Sequence, residues 1–221
     1  MDIPAGLLPG SYLLSAAVLY VSLLLLALLT APWTKIRDSE AQQVYFGAMA
    51  TVLVLWIMHG GIQPGLHYHL LGVTALTLLF EWQFALFAVS VLLAFTTWQG
   101  AAGWEAFGIN ALVMGVVPIL FTRLLLYASQ RRLALNFFIY IFINAFLAGA
   151  VSMLLAGLAS GLVQQLAAVH PGNTLVNNFL MILPMLMFGE GFLNGAALSL
   201  VVAYKPAWVA TFHDRWYLQG K

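Results

Sequence analysis

The chain has 221 residues, 63% of them hydrophobic and only 7% charged, with a formal net charge of +1 and a mean hydropathy of +0.96. Soluble domains carry roughly a quarter charged residues, so this composition excludes a soluble fold and reads as an all-α integral membrane protein. The absence of cysteine excludes disulfides, thiolate metal sites and thiol catalysis, and with no basic stripe nucleic acid is not expected as a partner.

The opening MDIPAGLLPGSY has no basic residues ahead of its apolar stretch, so it reads as a retained N-terminus and not a cleaved signal. An acidic residue at position 2 favours retention of Met1. Spanning helices need about 20 apolar residues. A first span covers 12–32 and is closed by Lys35, Arg37, Asp38 and Glu40; a second covers 44–58 and ends in the loop HGGIQPGLHYH. A third, 69–80, is short for a crossing and is separated by Glu81-Trp82 from a fourth at 84–98. The fifth covers 107–128 and is closed by Gln130-Arg131-Arg132. The sixth, 135–169, is longer than needed, which implies tilt or a short helix near Ser160-Gly161. After His170-Pro171-Gly172-Asn173 the seventh covers 175–204. The tail 205–221 is amphipathic and aromatic, and reads as a cytoplasmic interfacial segment.

About seven transmembrane helices in one domain, 1–221, place the two termini on opposite sides. With the N-terminus outside and the C-terminus cytoplasmic, Lys35, Arg37, Arg131, Arg132, Lys205, Arg215 and Lys221 all fall inside. Arg123 snorkels at the inner end of the fifth helix. No Lys or Arg is left outside, as topology by loop charge requires. The third and fourth segments could instead form one re-entrant hairpin, which leaves the orientation intact because they are an even pair. Gly157/Gly161 and Gly191/Gly195 have the spacing of small residues at close helix contacts.

Four of the five histidines map to the outer face: His59, His67, His69 and His170. In an extended loop His67 and His69 point to the same side and could meet one ion together, whereas in a helix they diverge. Imidazole suits Co, Ni, Cu and Zn; the alternative is that these side chains and Tyr68 only form a polar rim. The N-terminus shares that face. A free α-amine has a pKa near 7.7–8.0, so Met1, Asp2 and one or two imidazoles would make a compact ligand set within an N-terminal segment 1–11 and an outer loop 59–69. Glu190 stands mid-span in FGEGF, where a carboxylate costs roughly 2.5–3.5 kcal/mol on insertion scales and is by default functional or paired. Asn110, Asn144, Asn177, Asn178 and Asn194 are its candidate partners. Glu81 and Glu105 read as solvated helix ends. No Walker-type glycine loop, HExxH or GxSxG occurs, so the chain is not expected to be an enzyme or to hydrolyse ATP.

Several short motifs, in order, resemble the CbiM/NikM family, the substrate-binding membrane subunits of cobalt and nickel energy-coupling-factor (ECF) transporters. Met1-Asp2-Ile3-Pro4-Ala5-Gly6-Leu7-Leu8 is similar to the family's Met-His-Ile-x-(Asp/Glu)-Gly-Phe-Leu opening. Gly65-Leu66-His67-Tyr68-His69-Leu70-Leu71-Gly72 is similar to its Gly-Thr-x-x-His-Leu-x-Gly loop. Gly108-Ile109-Asn110-Ala111-Leu112-Val113-Met114 matches Gly-Ala-Asn-x-x-Asn-Met with Val113 for the second Asn, and Glu190-Gly191 matches a Glu-Gly of the last helix. The resemblance implies capture of Co²⁺ or Ni²⁺ by Met1, Asp2 and His69. Asp2 stands where the family has His, which adds a hard oxygen and admits Zn²⁺; His67 is an extra imidazole. Asn110 would orient the site, Glu190 would be structural or relay charge, and His59 would be a nearby polar group. Implied partners are an ECF transmembrane coupling subunit, ATP-binding-cassette ATPases and a small accessory membrane subunit, all at the cell inner membrane. Two other readings stay open: a scaffold or sensor that has lost transport, and a subunit for an organic micronutrient such as a vitamin, lined by Trp56, Tyr68, Trp98 and Trp104.

Overall fold

The computed structural model describes residues 2–61, 66–169 and 172–217; the expectations placed on Met1, His170 and Lys221 lie outside the described residues. The helices, in order, are α1 (Gly10–Thr30), α2 (Ser39–Ile57), α3 (Val73–Trp98), α4 (Trp104–Arg132), α5 (Phe137–Leu166) and α6 (Thr174–Tyr204). All but α2 are long and apolar enough to cross a membrane. α2 falls short in apolarity because its first turns are polar, and it is started by Asp38, whose Oδ1 accepts the Ala41 N–H at 2.7 Å.

α3 holds the topological surprise. Its 26 residues would make a straight rod about 39 Å long. Yet Thr96 and Trp98, at its far end, line the same cavity as His69, just before its start. The chain therefore folds back at Glu81, whose φ of 73° and ψ of 165° break the helix into 73–80 and 82–98. The separate third and fourth segments are real, but the third starts at Val73 and not at 69, and residues 66–72 are irregular. A non-glycine residue in this positive-φ, extended region costs on the order of 1–3 kcal/mol. Two ion pairs hold it there: Glu81 meets Lys35 Nζ at 3.2 Å and Arg123 Nη1 at 2.6 Å. This corrects the reading of Glu81 as a solvated end, and Arg123 is held by that carboxylate.

Because the 73–80 helix stops early, its last carbonyls lack partners four residues on. The tail supplies them: Ala210 N–H donates to Leu79 O at 2.9 Å, and the Thr211 hydroxyl to Leu78 O at 2.8 Å. Val209, Phe212 and Tyr217 are buried beside it. α5 is continuous through Ser160-Gly161, so no separate helix forms there; its irregularity is a π segment at Tyr140–Leu147. Both small-residue pairs lie in the α5–α6 contact, Gly157 against Leu183, and Gly191 and Gly195 against Phe146.

Candidate metal centre

The site is built on the connection between α2 and α3. Gly60 and Tyr68 exchange both backbone hydrogen bonds as an antiparallel bridge, N–O 2.9 and 2.6 Å. That bridge fixes the register, so His67 and His69 fall on one side of the strand-like segment and Tyr68 on the other. Tyr68 stacks on Phe179, with ring centroids 5.3 Å apart, and its hydroxyl donates to the Asn178 carbonyl. Trp56, buried at the end of α2, donates its indole N–H to Leu71 O at 2.9 Å and lays its ring 5.0 Å from that of His69.

His69 is 3% exposed and Asp2 6%, and they face one another although they are far apart in the chain. The Nδ1 of His69 lies 3.2 Å from the Leu70 carbonyl. A carbonyl can only accept, so Nδ1 carries the proton and Nε2 keeps its lone pair. Nε2 is buried without a hydrogen-bond partner, 3.8 Å from Asp2 Oδ2. Burial, opposed by the Asp2 carboxylate, pushes the imidazole pKa down to about 4, so the ring is neutral at pH 7. A nitrogen lone pair thus faces an Asp2 side-chain oxygen from beyond hydrogen-bond distance. Ligand atoms bound at about 2.0–2.2 Å to one transition-metal ion sit roughly 3–3.5 Å apart at near-tetrahedral angles. The observed separation is a slightly opened version of that arrangement.

The N-terminal segment is brought in by its own apolar cluster: Ile3, Leu8, Leu13, Ala16, Ala106 and Ile109. A Cβ on Gly108 would meet the Ala17 Cα at 2.6 Å, so only glycine lets α1 and the start of α4 touch backbone to backbone. That contact sets Asn110, fully buried, against Ile3: its Oδ1 accepts the Ile3 N–H at 2.9 Å and its Nδ2 donates to the Ile3 carbonyl at 3.0 Å. The side-chain amide pairs the backbone next to Asp2 as a neighbouring strand would. Asn110→Ala is expected to leave both Ile3 groups unpaired, at about 1–3 kcal/mol each, and to weaken metal affinity about 10–100-fold; equilibrium dialysis reads the change.

Glu190 holds the other side. Its two oxygens accept the Leu71 and Gly72 N–H groups, each at 2.7 Å, and Oε1 also accepts Asn194 Nδ2 at 2.9 Å. Asn194 Oδ1 in turn accepts the Ala75 N–H at 2.7 Å. Of the asparagines considered from sequence, Asn194 is the partner of Glu190. One helical turn apart on α6, these two residues satisfy the exposed donors of a helix that begins inside the bundle. Gly72, with φ +64°, makes the turn into it, and a Cβ there would meet Val52 at 2.8 Å. The fourfold spacing of Glu190 and Asn194 was a legible sign of a pair, while the anchoring role of Trp56 had no sequence signal.

A family sequence model described as "Cobalt uptake substrate-specific transmembrane region", CbiM, matches residues 2–208.

The chain belongs to the CbiM family.

The family is a transmembrane component of cobalt uptake. Among curated proteins none matches it. Two solved structures share its fold. One, a truncated transition metal transporter, has 17% identity and a TM-score of 0.78, covering 92% of this chain and 99% of its own. The other, a transition metal transporter, has 18% identity and a TM-score of 0.77, covering 92% and 93%.

In this CbiM chain the expected site residues divide. Asp2 and His69 are together; Asn110 and Glu190 each hold backbone beside one of them. His67 stands against His59, their rings 5.6 Å apart, and feels the Asp2 charge from there. Among the described residues no three His, Asp or Glu side chains gather closely enough to hold one ion. The aromatics do not form one lining either. Trp56 and Trp98 border the cavity of about 610 Å³ at Asp2 and His69, while Trp104 stacks on Phe107 at 6.0 Å and Tyr68 on Phe179.

Proposed function

We propose that this chain is the substrate-capture subunit of an ECF-type importer for a divalent transition-metal ion. It would bind Co²⁺ or Ni²⁺, with Zn²⁺ admitted by the Asp2 carboxylate. The observation that carries this reading is the buried, unpartnered Nε2 of His69 facing Asp2 Oδ2 at 3.8 Å. Two buried electron-pair donors held this way favour a cation between them. The Met1 amine, next in the chain to Asp2, is the third ligand proposed, and water or backbone nitrogen completes the set.

In this reading the chain crosses the inner membrane seven times, with 73–80 and 82–98 counted separately. The histidine-bearing end faces outward. Glu81, Arg131, Arg132 and the tail face the cytoplasm, in keeping with the positions of Lys and Arg. A coupling subunit and ATP-binding-cassette ATPases supply the energy. The 66–80 segment, held by Glu190 at one end and by the tail at the other, links the metal to the basic end.

The test is metal titration of the purified protein with and without one residue added ahead of Met1. His69 is already neutral above about pH 4, so it brings no proton competition near neutrality. An α-amine does, because its ordinary pKa is about 7.7–8.0. Apparent affinity is therefore expected to fall about tenfold per pH unit below that value and to level off above it. The extended chain should bind far more weakly and lose this slope. Equal binding by both chains would remove the amine from the ligand set.

A further inference from the structure

His59 and His67 are not part of the Asp2–His69 pair, yet they are not scattered. The Gly60–Tyr68 bridge fixes how the two arms of the connection face each other, and alternation across that bridge puts 59, 67 and 69 on one face. The rings of His59 and His67 stand 5.6 Å apart between centroids and 71° between planes. Two imidazoles sharing one ion at about 2.0–2.1 Å from nitrogen have centroids roughly 5–5.5 Å apart at near-tetrahedral angles, so small side-chain rotations bring this pair into register. His59 is exposed and lines the same cavity as Asp2 and His69. The two buried donors therefore line a space that His59 also lines, with the His67 ring next to His59.

We propose that His59 and His67 form a second, outer station for a borderline divalent metal ion, through which the ion passes to Asp2 and His69. The proposal rests on the capture reading above and adds to it a separate site. Two protein nitrogens with water filling the other positions bind less tightly than a fully desolvated set, which suits a station that must release its ion inward. Imidazole pairs select Co²⁺, Ni²⁺, Cu²⁺ or Zn²⁺ over Mg²⁺ and Ca²⁺.

The test is a Co²⁺ titration of the full-length protein in detergent, read by visible absorption and by stoichiometry, with Mg²⁺ in excess. Wild type should take up a tight equivalent and a weaker second one. His59→Ala with His67→Ala should lose the weaker equivalent, keep the tight one, and load it more slowly in stopped-flow mixing. The paired His59→Gln and His67→Gln substitutions, which keep side-chain bulk and polarity, should do the same. His69→Ala should keep only the weaker equivalent. A weaker equivalent that survives both double variants, or a wild type that takes up the tight equivalent alone, overturns the proposal. So does loss of the tight equivalent in the double variants, which would place His67 in the inner set. Absence of the tight equivalent from wild type, with a weak one that still depends on His59 and His67, would sink the capture reading while leaving this station standing.

Discussion

Replacing His69 by alanine is expected to abolish tight metal binding while leaving the protein folded. Among the described residues, the side chain supplies a buried nitrogen lone pair that faces Asp2, and its other nitrogen lies against the adjacent carbonyl. Little of the fold therefore depends on it beyond the contact with Trp56. Loss of a direct ligand exceeds the roughly 10–100-fold effect of removing an outer partner, so affinity should drop by more than about 100-fold. Asp2→Asn keeps the shape and one oxygen but removes the charge, and should fall between His69→Ala and wild type. Asp2→His installs a second imidazole and should shift preference toward Ni²⁺ and Cu²⁺ over Zn²⁺. Calorimetric titration with each ion measures all three. Wild-type affinity in His69→Ala would refute the centre described here.

Glu190→Ala should damage fold and binding together. The carboxylate is 1% exposed and accepts two backbone N–H groups plus an asparagine amide. Removing it strands the Leu71 and Gly72 donors inside the bundle, at about 1–3 kcal/mol each, with no water to replace the lost acceptor. The 66–72 segment carries His69, so metal affinity should fall along with the melting temperature. Glu190→Gln retains one acceptor oxygen but points an NH₂ group at a backbone N–H, and should show a smaller loss of both. Thermal unfolding in detergent, run beside metal titration, checks the pair. A Glu190→Ala protein with unchanged melting and unchanged affinity would show that the segment is held by Trp56 and the Gly60–Tyr68 bridge alone.

Much of the architecture follows from composition and spacing. The long apolar runs bounded by Lys and Arg mark where helices lie, since burial of apolar length in lipid and exclusion of charge from it act locally along the chain. The same logic marks Glu190 as paired, because an ionisable group cannot sit alone there. Asn110 stands out as a candidate partner of Glu190 and through family resemblance, but nothing in its sequence neighbours shows that it pairs the Ile3 backbone. The expected spans 12–32 and 44–58 overlap α1 and α2 closely, whereas the expected solvated end at Glu81 is an ion-paired reversal, because Lys35 and Arg123 reach it from other helices. His67 and His69 do share a face, as the bridge between Gly60 and Tyr68 requires, yet His67 stands against the ring of His59 while His69 faces Asp2.

Membrane embedding, the approximate places of the long helices and the residue types able to bind metal were thus determined by sequence alone, because each depends on local hydropathy or on one side chain's chemistry. Tertiary structure decided that Asp2 meets His69, that Glu190 starts the 73–80 helix and that the tail ends it. Those contacts join residues far apart in the chain, and close packing of helices in three dimensions, to which no local pattern is sensitive, is what brings them within reach.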